Sequence, residues 1–151
     1  MSNPDRQPAT RVQLVAGIDP LARMRWMDSA LATRHPADKV TVLASSELFA
    51  RLDVHQQAQR FEADAALKAS GVHLMRLAPG CACCSSRLIM STHLSRTLRL
   101  NPPDWLVLEL ESASHPDKVL EFLQEPQWRG WFSSIELVHT DPVSPSPPIN
   151  P

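Results

Sequence analysis

"RVQLVAGIDPLARM" (residues 11–24) joins a run of strand character to a segment of helical period through a short turn. Asp19-Pro20 marks the junction: aspartate suits a helix N-cap, and proline suits the first helical turn. A strand that feeds directly into a helix is the opening of a β-α-β unit, and the same alternation recurs down the chain. Strand candidates follow at 39–45, 72–78, 104–110 and 133–140, and helix candidates occupy 20–34, 54–69, 86–99 and 116–125. Ser70-Gly71 and Asn101-Pro102-Pro103 stop two of those helices. Alternation of this kind predicts an α/β fold, a three-layer arrangement in which helices flank a mostly parallel sheet of about five strands.

The 151 residues suit one domain with a real core. It is placed at 11–141, after a flexible N-terminal segment (1–10) and before a proline-rich tail (142–151) that is disordered or polyproline-like. A formal net charge of −1 and scattered basic residues argue against nucleic acid or an anionic membrane as partner. No apolar run approaches the roughly 18–20 residues of a membrane span, and the N-terminus has no signal-peptide pattern, so the expected location is the cytoplasm. Trp128 and Trp131 flank Gly130 in a connection and are read as closing over the sheet edge, or as a partner surface.

In a sheet of this kind, phosphate binds at the first strand-to-helix turn, where backbone N–H groups and a helix N-terminus converge. The Walker A pattern G-x-x-x-x-G-K-[ST] is the test, and here the stretch reads "GIDPLARM" (17–24). Gly17 fits the first glycine. Ala22 replaces the second, Arg23 replaces lysine, and Met24 has no hydroxyl for Mg²⁺. Asp19 adds negative charge and Pro20 removes an N–H. Neither GTP nor Mg²⁺ is expected as a ligand, and the turn is read as an ordinary strand-to-helix junction with an Asp cap, contact of Arg23 with some other anion being the lesser alternative.

The chain's three cysteines, Cys81, Cys83 and Cys84, stand together in "APGCACCSSR" (78–87). In a reducing compartment an odd number of close thiols indicates metal or redox chemistry rather than a disulfide framework. The C-x-x-C spacing of Cys81 and Cys84 lets two sulfurs grip one tetrahedral ion, and Cys83 adds a third. Soft ligands favour Zn²⁺ or another thiophilic ion. Arg76, Arg87 and a helix N-terminus favour the thiolate forms. A fourth ligand is left open among water, a partner's side chain, Glu47, His73, His93 and His115. The competing readings are a Cys81/Cys84 redox pair and a set of inert buried thiols.

The phrase "LAPGCACCSSRL" and the order of elements resemble the CobW branch of the CobW/HypB/UreG group of metal-related P-loop GTPases, whose G-C-x-C-C motif lies at a strand end. "ELESASHP" (109–116) is similar to the E-T-T/S-G-L-A-D-P segment of that group, with Glu109 and Pro116 at matching ends. "VLASSELF" (42–49) looks like its V-x-x-N-E-F-G segment, with Glu47 as the glutamate. The likeness runs from about residue 11 to residue 141. It implies a P-loop NTPase-like fold, with Gly17, Arg23 and Glu109 as remnants of a nucleotide site, Glu109 formerly near Mg²⁺. Ser112 stands where the group has its switch glycine, His139 where it has aspartate, and the guanine-reading N-K-x-D segment and C-terminal domain are expected to be lacking. The resulting expectation is a cytoplasmic metallochaperone-type protein that binds zinc through Cys81, Cys83 and Cys84, without catalytic residues or GTP hydrolysis. Its partners would be a metal ion and a client metalloprotein or a CobW-like protein. The alternatives are a non-catalytic interaction module and a GTP-binding protein with an unorthodox phosphate loop.

Overall fold

The structure is a computed structural model that describes residues 10–78 and 87–141, with backbone alone for 87–89. All five expected strands form: β1 (Thr10–Ala16), β2 (Val40–Ser45), β3 (His73–Leu77), β4 (Trp105–Glu109) and β5 (Phe132–His139). They alternate with α1 (Pro20–Ala32), α2 (Val54–Ala69), α3 (Arg87–Leu100) and α4 (Pro116–Leu123). The strands join in the order β3-β2-β4-β1-β5, with every pair parallel. The sheet is therefore wholly rather than mostly parallel.

A parallel sheet carries helices on both faces, so its central strands must be apolar on both. Successive residues of β2 and β4 bear this out. Leu43, Leu106 and Leu108 enter the core with Leu94 and Leu98 of α3 and Val119 and Phe122 of α4. Val42, Val107 and Val15 face the other way, toward Met27 and Leu31 of α1 and Leu67 of α2. Three layers result. Asp19 caps α1 by accepting from Leu21 N–H at 2.9 Å, as the Asp-Pro signature predicts. At α2, Asp53 and Gln56 form a reciprocal capping box.

Helix ends differ from expectation by one or two residues, because α1 and α4 close on the backbone of Thr33 and Gln124. Two 3₁₀ turns, Glu47–Arg51 and Pro126–Trp128, add to the expected elements. Trp128 is a core residue, 5% exposed, packed edge-on to Phe122 and 6.4 Å from the ring of Phe132 on the edge strand β5, so it closes over the sheet edge as expected; Trp131 is half-buried against the same cluster. Of the expected flexible N-terminal segment (1–10) and proline-rich tail (142–151), residues 1–9 and 142–151 lie outside the described residues, whereas Thr10 opens β1, is buried and donates to Pro103 O at 2.7 Å.

Candidate functional site

The carboxyl ends of β1, β2 and β4 meet the start of α1, and Arg23 lies at that corner with no exposed surface. Burying a guanidinium demands partners for its rigid fork of five donors. Arg23 Nε bonds Glu109 Oε2 at 2.9 Å, and one terminal nitrogen bonds Glu47 Oε2 at 3.1 Å. The other terminal nitrogen donates to Gly17 O and to Ser112 Oγ, the latter at 3.2 Å. The five groups come from four chain segments. α1 supplies the arginine, and the acceptors come from the residues after β1 and β2 and from the end of β4 with the residues that follow it.

The acceptors are themselves held. Glu109 Oε1 takes the Ser45 N–H at 2.9 Å, and its side chain is fully buried. Glu47 Oε2 takes the Ser112 N–H at 2.9 Å, while the Ser112 hydroxyl donates its one proton to Glu47 Oε1, with Ile18 O lying 2.6 Å from the same hydroxyl oxygen as the alternative acceptor. Burial raises the Glu109 carboxyl above its ordinary value, outweighing the Arg23 hydrogen bond and charge. At Glu47 burial acts the same way but is overcome by the Ser112 bonds and then by Arg23, so its carboxyl is lowered. Two carboxylates against one guanidinium leave the fully ionised corner at −2 + 1 = −1.

Gly17 closes the corner from the β5 side. A Cβ here would overlap Thr140 Oγ1 and press on Asp141 Oδ1, because Thr140 donates to Ala16 O while Asp141 accepts from Ile18 N–H at 2.8 Å. This glycine is thus required for close packing against the 140–141 turn. Gly17→Ala is expected to lose about 1–3 kcal/mol by overpacking, read from urea unfolding; an unchanged midpoint would show that the turn gives way freely.

A second polar cluster lies beside this one. Asp64 of α2 holds Arg60 (2.9 Å) and Arg76 (2.6 and 2.9 Å), and Arg60 reaches on to Asp28 at 2.8 Å. Arg76 also donates to Ser45 O at 3.0 Å and lies 5.1 Å from the Phe49 ring. Its charge, assigned from sequence to the thiols, is thus already balanced by Asp64.

Of the residues named from sequence, the fold gathers Gly17, Arg23, Glu47 and Glu109. His93 lies elsewhere, in a cleft of about 250 Å³ with His73 and Arg96, and His115 is the N-cap position of α4. Cys81, Cys83 and Cys84 fall in the β3–α3 connection, outside the described residues. Among the described residues, no group of three His, Cys, Asp or Glu is placed to hold one metal ion. No described helix is long and apolar enough to cross a membrane. Sequence reasoning missed the Glu47–Ser112 bond, whose only local signal was a serine in the position of the switch glycine.

Comparison with known proteins gives no significant match to a curated protein or to a solved structure. A family model described as "CobW/HypB/UreG, nucleotide-binding domain" matches residues 52–139. The matched span holds α2 through β5, with the three cysteines and Glu109, and begins after the turn at 17–24. With more than half its length covered, and a parallel α/β sheet of the P-loop NTPase kind, the chain belongs to the CobW/HypB/UreG family through its nucleotide-binding domain.

Proposed function

We propose that this chain is a cytoplasmic metal-binding member of its family, taking Zn²⁺ or a similar thiophilic ion on Cys81, Cys83 and Cys84 for homeostasis or delivery, without GTP hydrolysis. The observation that carries the second half is the occupancy of the nucleotide corner. Glu47 draws on the Ser112 N–H, the Ser112 hydroxyl and the Arg23 guanidinium, donors that a phosphate oxygen would otherwise need. An incoming polyphosphate would have to displace a carboxylate already bonded, at a corner with no excess of positive charge. Support for the first half is the donor set: three thiols in four positions suit a soft ion, and the connection that carries them leads into the N-terminus of α3. Thiol ligands lose protons on binding, so affinity rises with pH through their titration.

The test is titration of the reduced protein with Zn²⁺ against a chromophoric chelator. The parent is expected to compete, and a Cys83→Ser, Cys84→Ser variant to bind at least 100-fold more weakly, since two of three sulfurs are gone. Equal affinity would remove the thiols from the reading. Calorimetry with GTP and Mg²⁺ is expected to give no heat of binding. Micromolar affinity would instead support a GTP-binding protein whose phosphate loop works without the Walker A residues.

A further inference from the structure

Ser91, Ser95, Leu98 and Arg99 of α3 are spaced so that they share one helix face, and opposite them stand Trp128 of the 3₁₀ turn and Trp131 just before β5. Between the two sides lies a cleft of about 230 Å³. The serines leave it open, since side chains of leucine size there would fill the gap to the indoles. Trp128 is 5% exposed, and its Nε1–H, shielded from solvent, has no hydrogen-bond acceptor among the described residues. Its ring is packed 5.7 Å from Phe122 and 6.4 Å from Phe132, so the indole cannot swing its N–H out to water without leaving the core. A buried donor left unpaired is costly and rare, and it indicates an occupant that brings the acceptor.

The walls select the occupant. Among the described lining residues Arg99 is the only charged one, and it has no carboxylate partner among the described residues. Glu125, the nearest acid in sequence to Trp128, does not line the cleft and accepts from Gln127 Nε2 at 2.7 Å. A guanidinium fork, an indole N–H and two serine hydroxyls together suit a carboxylate. The rest of the surface, two indoles and Leu98, suits a flat ring. Benzene fits a cavity of about 150 Å³, and sites for drug-sized ligands run from about 300 to 1,000 Å³. This cleft has room for one ring and its carboxylate.

We propose that the cleft between α3 and Trp128 binds a small aromatic carboxylate, whose carboxylate accepts from Trp128 Nε1–H and Arg99 while its ring lies against Trp131. The site shares no residue with the Arg23 corner or with the three thiols. It therefore stands or falls apart from metal and nucleotide.

Indole N–H resonances of the full, ¹⁵N-labelled chain test it, with benzoate as the probe and a Trp128→Phe chain to identify the Trp128 signal among four tryptophans. Benzoate is expected to shift that signal saturably and to slow its exchange with water. Trp105, whose Nε1 is bonded to Gln13 at 2.8 Å, should stay in place. Arg99→Gln changes an exposed side chain and is expected to weaken benzoate at least about tenfold, the weight of one hydrogen bond to a charged group. Acetate and benzyl alcohol, which offer the carboxylate or the ring alone, should each bind at least about tenfold more weakly than benzoate. Ser95→Leu should fill the cleft and abolish the response, with the fold kept by circular dichroism. A Trp128 signal that millimolar benzoate leaves unmoved would overturn the proposal, as would equal affinity in the Arg99→Gln chain. Acetate binding as tightly as benzoate would overturn the aromatic class. A Trp128 N–H held by a buried water that benzoate does not displace, seen as a cross-peak to water, would overturn the site itself.

Discussion

Arg23→Ala is expected to lose about 3–5 kcal/mol of stability, the effect of stranding a fully buried carboxylate without its partner. For a chain of this size that is a fall of roughly 10 °C in Tm, read by circular dichroism with urea unfolding as the equilibrium check. Glu109 is left with the Ser45 N–H alone, and Glu47 with Ser112. Arg23→Lys preserves the charge but cannot reproduce the fork that meets Glu109, Glu47, Gly17 and Ser112 together, so an intermediate loss is expected. Combining Arg23→Met with Glu109→Leu should recover most of the deficit, since an apolar pair of similar volume replaces a buried ion pair at little net change. A loss under about 1 kcal/mol for Arg23→Ala would mean that the corner opens to water, and the case against a nucleotide there would weaken with it.

Asp64→Ala is the second large effect, about 2–4 kcal/mol, because one carboxylate holds two largely buried guanidinium groups. The same residue sets an acid limb. Burial pushes the Asp64 carboxyl up, but the Arg76 hydrogen bond and charge and then Arg60 more than reverse it, so its folded value lies below the ordinary 3.8. A lowered value stabilises the fold above pH 3.8, and that contribution is lost as pH falls through the folded value. Glu109 runs the other way. Its raised value stabilises the fold below the ordinary 4.5, and this is lost as pH rises through the folded value. Urea midpoints from pH 3 to 7 should therefore flatten on the acid side in Asp64→Asn, while Glu109→Gln removes the opposing slope. Parallel profiles for all three proteins would refute both assignments.

The path of the chain was legible because both faces of β2 and β4 are buried, which leaves continuous apolar runs between segments of helical period. Asp19-Pro20 located the start of α1 to the residue. The strand order was not legible: β1 pairs with strands that begin at 105 and 132, and nothing in a parallel strand's own sequence names its neighbours. The corner was half legible. Gly17, Arg23 and Glu109 were marked by their places along the motif, but the role of Arg23 depends on carboxylates 24 and 86 residues away. That distance is why it read as a failed lysine and not as a buried centre of four contacts. For Trp128 the connection and its closure over the sheet edge were legible, but not the 3₁₀ turn that folds the indole inward between Phe122 and Phe132.

The sheet order also sets a timetable for synthesis. β1 is made first, yet its two neighbours are β4 and β5, so it remains without either side through the first hundred residues. β2 and β3, adjacent in both sequence and sheet, can pair early with α2 across them. Arg23 cannot be enclosed until Glu109 has been added, and Gly17 meets Thr140 only after β5. At ~5–20 residues per second, the amino-terminal strand waits seconds with its apolar sides bare. The first strand of this sheet to be made is the last to gain its neighbours, and it is there that a chaperone would find its hold.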